Sequence, residues 1–369
     1  MLRARLLSPR DLGVRDLEYW RSLQGADSAF RSPLMGPEFA ALVGKVRDDA
    51  AVLVFTRNGR PVGFLPHHRR PSGMGRPIGA PFSDLHALVS EDGLGLDDEA
   101  LLRHAGLSSF HYSGLIDPHG VFARSTNARQ LSWRVSGERA FETIRDAHRI
   151  HFKKALRHER KLAALDQDVA VNLRDTNPAT LDKVFGWKRS QLNRTGLHDF
   201  FRPQWTRSLM RLIFESPFGS LVTLNVGGNP IAGRFAITVG GACHVWIRAY
   251  DPAFARYSPG NTLLWRFLEA MPALGIDICD VGPGGEHDKA TYSTETISVC
   301  VGVAPSRRPP LFPASRSVHR RLEHIAEVEL DGWGRAYGLL FALASQGRRS
   351  GREATVADVE PAHPKDLVS

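Results

Sequence analysis

The chain has 369 residues, enough for two domains of ordinary size, and its 42% hydrophobic and 24% charged residues exclude wholesale disorder. Three cysteines (Cys243, Cys279, Cys300) are too few for a disulfide framework and none stands in a Cys-x-x-Cys pair, so a reduced, cytoplasmic setting is expected. The net charge of +9 favours anionic partners, although an Arg-, Ala- and Gly-rich composition can drift basic with no partner at all. Apolar runs such as Leu339 to Ala344 fall far short of the roughly 20 residues that cross a bilayer. The start, Met1 to Pro9, has arginines but no apolar signal-peptide core. Neither export nor a membrane span is expected.

In chain order, Ala51–Phe55 reads as a buried strand, Arg57 to Pro61 as a turn and Val62–Pro66 as the returning strand. Met74 to Pro81 reads as loop and Asp84–Val89 as another strand. His67-His68-Arg69-Arg70 reads as a polar strand end. A helix is expected over His148–Leu165, with Phe152, Ala155, Leu156 and Leu162 on one side. Helices follow at Pro178–Leu192 and Pro203–Glu215. Leu221–Val226, Ile231–Ile237 and Cys243–Ile247 are three strands parted by glycine turns. Gly59-Arg60-Pro61-Val62 and Gly228-Asn229-Pro230-Ile231 occupy equivalent turn-to-strand positions, which fits two similarly built halves and also a shared hairpin habit. A helix is expected over Val318–Ser345, then a polar tail.

The stretch from His244 to Tyr292 holds the most chemistry. A strand ends at Tyr250-Asp251-Pro252, and Tyr257-Ser258-Pro259-Gly260 leads into a helix from Asn261 with Leu263, Leu264, Phe267, Leu268 and Met271 on one face. The strand Ile276–Val281 then empties into Gly282-Pro283-Gly284-Gly285. This order sets backbone N–H groups at a helix N-terminus beside a sheet, a place suited to a pyrophosphate. An ordinary βαβ crossover with a capped helix has the same pattern.

Ile231-Ala232-Gly233, the run Tyr250 to Gly260 and Asp280-Val281-Gly282-Pro283-Gly284 resemble the CelD-like acetyltransferases of the GNAT superfamily, found with bacterial cellulose and exopolysaccharide biosynthesis and related to the FemAB peptidyltransferases. The likeness covers residues 140–303 and reaches Gly75-Arg76-Pro77-Ile78-Gly79 with Asp84 more weakly. It implies an α/β chain of two GNAT-like domains side by side, 1–145 and 146–304, with a helical extension and disordered tail over 305–369. It also implies acyl transfer from acetyl-CoA or another acyl-CoA to a small-molecule or saccharide acceptor by direct attack, without a metal. Tyr257, Ser258, Pro259, Gly260 and Asn261 would then cradle the coenzyme A pyrophosphate. The sequence departs from the superfamily in lacking its Gln/Arg-x-x-Gly-x-Gly loop. His287-Asp288-Lys289 stands where a Tyr-Lys pair is usual, and Tyr292 is the nearest replacement tyrosine.

Such chemistry needs a base, oxyanion donors and an acid for the thiolate. Glu286, His287 and Asp280 are candidate bases, Lys289 a candidate oxyanion stabiliser, and Tyr250 and Tyr257 candidate donors to the leaving sulfur. Solvated loop charges and packed tyrosines are the plain alternatives. Trp187, Lys188 and Arg194, with Arg189 and Asn193 nearby, would line the acceptor groove, with core packing the alternative for Trp187. Arg149, Lys153, Arg157 and Arg160 form a basic helical stripe that would take a phosphate-rich ligand or simply face solvent. His148, His151 and His158 share a side of that helix, but neighbouring cations oppose a metal there. Two other functions fit: FemAB-like transfer from aminoacyl-tRNA, and a non-catalytic adaptor of a polysaccharide assembly complex.

Overall fold

Two-residue turns set the local geometry of both halves. The computed structural model describes residues 2–305 except positions 71, 166, 198 and 285, so the expected helical extension and tail fall outside the described residues beyond Pro305. β2 (Ala50–Arg57) and β3 (Arg60–Arg69) form a hairpin whose turn residues, Asn58 and Gly59, have φ of 53° and 77°. β10 (Gly219–Val226) and β11 (Asn229–Val239) form another around Gly227 and Gly228, with φ of 55° and 76°. Positive φ at both central positions matches the twist of paired strands, which is why Asn and Gly stand there. In both hairpins a proline follows the turn and a bulge comes next. Pro61 lies opposite Thr56 with Val62 extra, and Pro230 opposite Asn225 with Ile231 extra. The four-residue likeness in the sequence therefore marks the same hairpin built twice.

The likeness extends along each half. In the first, β1 (Leu2–Leu7), α1 (Val14–Ala26) and α2 (Pro37–Val46) precede the hairpin. β4 (Met74–Pro77), the two-residue strands β5 (His86–Ala87) and β6 (Val89–Ser90), α3 (Asp98–Ala105) and β7 (Ser109–Ile116) follow it. After β8 (Thr126–Ser136), the second half has α4 (Ala140–Ala147), α5 (Arg149–Ala163), β9 (Val169–Asn172), α6 (Pro178–Arg194) and α7 (Gln204–Glu215) before its hairpin. It continues with β12 (Ala242–Tyr250), α8 (Pro259–Ala270), β13 (Ile278–Pro283), α9 (Glu286–Thr291) and β14 (Glu295–Pro305). In each half a hairpin leads to a third antiparallel strand, and a helix then crosses to a parallel neighbour: β4 to β7, and β12 to β13.

The strands join in one mixed sheet ordered β1-β2-β3-β4-β7-β14-β8-β13-β12-β11-β10-β9. The two halves run in mirrored order and exchange their last strands. β8 follows β7 but pairs with β13, whereas β14 follows β13 but pairs with β7, and β8 and β14 pair with each other. One apolar cluster joins the halves, running from Trp20, Phe39 and Phe64 to Leu209, Phe235 and Ile247. A second lies under α8 on the opposite face of the second half.

Several expectations are corrected. Residues 74–77 form β4 rather than loop, because Gly75 leaves room for Leu107 and Phe110 to pack onto the strand. The strand expected over Asp84–Val89 is two short pieces, with Asp84 ahead of both. His67 and His68 are fully buried rather than a polar end. His68 sits between Asp49 (3.0 Å) and the amide of Gly79 (2.9 Å). Burial opposes ionisation of Asp49, but His68, Arg47 and Arg70 outweigh it and hold the carboxyl well below its usual range.

Candidate active site

β12 and β13 share register only over Ala242–His244 and Ile278–Asp280. Beyond that point β12 follows β11 to Tyr250, with Trp246 as a bulge, while β13 turns toward β8 with a shift between Asp280 and Gly282. The parting leaves the β13-facing backbone groups of β12 beyond His244 without a neighbouring strand. Ligands of α/β folds gather outside such carboxyl ends of parallel strands.

A segment of the first half reaches this opening. Asp84 Oδ2 lies 3.0 Å from His244 Nε2, and Trp246 Nε1 donates to the Phe82 carbonyl at 2.9 Å. His244 is fully buried, and its Nδ1 has no hydrogen-bond partner among the described residues. Gly282 meets a backbone demand here and eases the approach of Asp84. Its φ is +81°, and a Cβ would stand 3.2 Å from Asp84 Oδ2. Behind Asp84, Gly114 (φ +92°) leaves space for the Asp84 carbonyl.

Lys289 closes the other side. Its Nζ donates to the carbonyls of Gly282 (3.1 Å) and Pro283 (2.8 Å). Burial lowers its pKa to about 8; Arg248 pushes the same way and Asp84 opposes. Asp280 is fully buried, with Oδ1 2.7 Å from Arg134 Nε and Oδ2 without a hydrogen-bond partner among the described residues. Glu286 and His287 belong to α9, but their side chains lie outside the described residues.

At the start of α8, Ser258 takes a left-handed conformation (φ 47°) and Pro259 supplies no amide. The amides of Asn261 and Thr262 turn back to the Ser258 carbonyl, which leaves that of Gly260. Tyr250, 38% exposed, lies against Gly260. Tyr292 Oη donates to Asn261 Oδ1 at 3.0 Å, tying α9 to this turn. Tyr257 is buried, and its hydroxyl accepts from Arg256 Nη2 at 2.7 Å.

Lys188 approaches from α6. Burial lowers its pKa, with Arg248 adding to the effect, and its Nζ donates to Gln191 Oε1 at 3.2 Å. Trp187 packs on the core joining the halves, and Arg194 is exposed at the end of α6. Asp280 and Lys289 therefore lie at the parted strands, with Tyr250 and Asn261 at the adjoining helix start; among the described residues Lys188 is linked to them only through the charge of Arg248. Sequence reasoning missed His244 as a candidate, although a titratable residue inside an apolar strand was its signal. It also passed over Arg234 and Arg248, polar in equally apolar strands. Asp84 had been noticed only through family likeness.

The corresponding opening in the first half is filled. β5 pairs with β7 at Leu115 and Ile116, farther along β7 than the pairing of β4 at Ser109 and Phe110. At the start of α3, Asp97 caps the Ala100 amide at 2.8 Å, and Asp98 and Glu99 follow. At the start of α8 no side chain caps and no acid stands in the first turn. A helix start attracts an anion only where acids do not already occupy it, so α8 is favoured and α3 opposed.

Among the described residues, no three His, Cys, Asp or Glu are grouped to hold a metal, and no helix is long and apolar enough to cross a membrane.

Residues 149–290, from α5 through most of α9, match the family model described as an acetyltransferase (GNAT) domain. The fold is similar to the crystal structure of FemX, with a TM-score of 0.53 and 10% identity over 79% of this chain and 96% of that one. It is also similar to a tandem GNAT protein from the clavulanic acid biosynthesis pathway (TM-score 0.46, 12% identity, 83% and 98% covered). L-PGS from Bacillus licheniformis gives 0.42 at 10% identity, with 87% and 98% covered. No curated protein matches the sequence. The fold is thus α/β and GNAT-like, with the matched acetyltransferase domain in the second half.

Proposed function

We propose that the protein transfers an acyl group from an acyl-CoA thioester to an amine or hydroxyl at the parting of β12 and β13. The units are read as 1–145 and 146–304, with donor and reaction centre in the second and Asp84 contributed by the first. The observation that carries this reading is the Asp84–His244 pair, set beside Gly282 and Lys289 where the strands part.

With Nε2–H donating to the Asp84 carboxylate, the buried His244 holds that carboxylate at the opening. The Asp84 carboxylate, whose side chain stays 38% exposed, takes the proton as the acceptor nitrogen or oxygen attacks the thioester carbon. The oxyanion is stabilised by the Lys289 ammonium and by N–H groups on the open edge of β12. The C–S bond then breaks, and Tyr250, at the helix start where the donor enters, protonates the thiolate. Asp280, already engaged by Arg134, acts as a positioning residue for β13.

Calorimetry with coenzyme A and thiol release from acetyl-CoA across amines and hydroxyl acceptors test the reading. Asp84→Asn should reduce turnover about 100-fold, the scale of a positioned base, and leave coenzyme A affinity nearly unchanged. No coenzyme A binding, or full turnover in the variant, would overturn it. CelD-like use of a saccharide acceptor is the finer form of the same proposal.

A second reading, aminoacyl transfer from tRNA, is favoured by α5. Arg149, Lys153, Arg157 and Arg160 are exposed there, while Glu159 is taken by Arg266 of α8 at 2.8 Å. Binding of aminoacyl-tRNA with a steep salt slope, together with indifference to coenzyme A, would decide for it.

A further inference from the structure

Arg234 is only 4% exposed, yet its Nε and Nη1 have no hydrogen-bond partner and no carboxylate pairs with it among the described residues. Its guanidinium lies 4.8 Å from the centre of the Phe267 ring. Directly opposite on β12 stands a second arginine, Arg248. Like charges across a strand pair destabilise, and a buried unpaired cation costs more still. Burial brings the Arg234 pKa down to about 10, with Arg248 adding to the effect; the thiols of Cys243 and Cys279 are the other titratable groups beside it. Arg248 also bears electrostatically on Lys188 and Lys289. Of the nearby acids, Asp84 serves His244 and Asp280 serves Arg134. Two guanidiniums on paired residues, with no acid bound to either among the described residues, suit a phosphate or carboxylate.

We propose that Arg234 and Arg248 form a subsite for a phosphate or carboxylate group carried by the acyl acceptor. The proposal rests on the acyl-transfer reading and assigns the acceptor to the acidic amines or alcohols. Arg234 stands apart from the donor's pyrophosphate. Phe267, which Arg234 covers, lies seven residues beyond Gly260, or about 10 Å along α8 at 1.5 Å per residue.

Calorimetry on the full chain, with inorganic phosphate and acetate as separate probes, tests it with and without saturating coenzyme A. Saturable binding is expected in both states, weakened about tenfold or more in Arg248→Met and Arg234→Met, the loss expected for hydrogen bonds to a charged group. The tighter probe tells a phosphorylated acceptor from a carboxylated one. Binding that vanishes when coenzyme A is bound would assign the arginines to the donor and overturn the proposal. So would binding unchanged in the variants, or no saturable binding. If Arg234→Met does not fold, Arg248→Met, on an exposed side chain, carries the test. Failure to bind coenzyme A while phosphate binding still depends on Arg248 would sink the acyl-transfer reading and leave the anion site standing.

Discussion

Lys289 sits where two opposed demands meet. Burial disfavours its charge, whereas a developing oxyanion would need that charge. Its pKa of about 8, against an ordinary 10.5, fixes two pH dependences of opposite sign. Turnover should fall as pH rises through about 8, because the ammonium is lost. Stability should rise between about 8 and 10.5, because the unfolded lysine still binds a proton there and the folded one does not. Lys289→Met should flatten this part of both profiles and lower turnover about 100-fold with donor affinity retained. A variant with full turnover above and below pH 8 would remove Lys289 from the chemistry. Arg234 makes a related case. Replacing a buried, unpaired cation with Met should raise stability by about 1 kcal/mol or more in a urea titration, even as anion binding is lost. A destabilised but folded Arg234→Met would show that its stacking on Phe267 outweighs its desolvation.

Among the elements, the start of α8 carries the donor argument. It has one open amide, no capping side chain and no acid, whereas α3 has three acids at the same place in its own half. Gly260→Asp would give α8 the character of α3. Coenzyme A affinity should fall at least about tenfold, from repulsion and competition for the helix start, without loss of fold. Calorimetry on a variant with native circular dichroism measures this, and unchanged affinity would move the pyrophosphate elsewhere. The same elements show what the sequence made legible. β10, β11, β12 and α8 could be read because glycine turns bound apolar runs and the α8 stripe keeps helical spacing. α1 escaped notice because its buried residues, Trp20 and Asp16, leave hardly any apolar stripe. β8 alternates little and exposes most of its first half. The His244–Asp84 pair was not legible at all. Its members lie 160 residues apart, and only the meeting of the two halves makes them a pair.

That meeting gives the whole molecule its constraint. Each half supplies the strand that completes the other, with β8 between β13 and β14, and β14 between β7 and β8. The largest apolar cluster also crosses between them. A cut between residues 145 and 146, the boundary that the family resemblance implies, would strip β8 from the second half. It would expose the edges of β13 and β14 and leave Asp280 buried without Arg134. Removing one partner of a buried ion pair alone costs about 3 kcal/mol or more, a large share of the stability of an ordinary domain. The fragment 146–305 should therefore not fold on its own, and the full chain should unfold in urea as one transition by both near- and far-ultraviolet circular dichroism. Adding the two fragments together should restore the single transition only if β8 and β14 exchange between them. A fragment 146–305 that unfolds cooperatively, with coenzyme A affinity intact, would mean that β8 is dispensable. The first half would then serve the reaction through Asp84 alone.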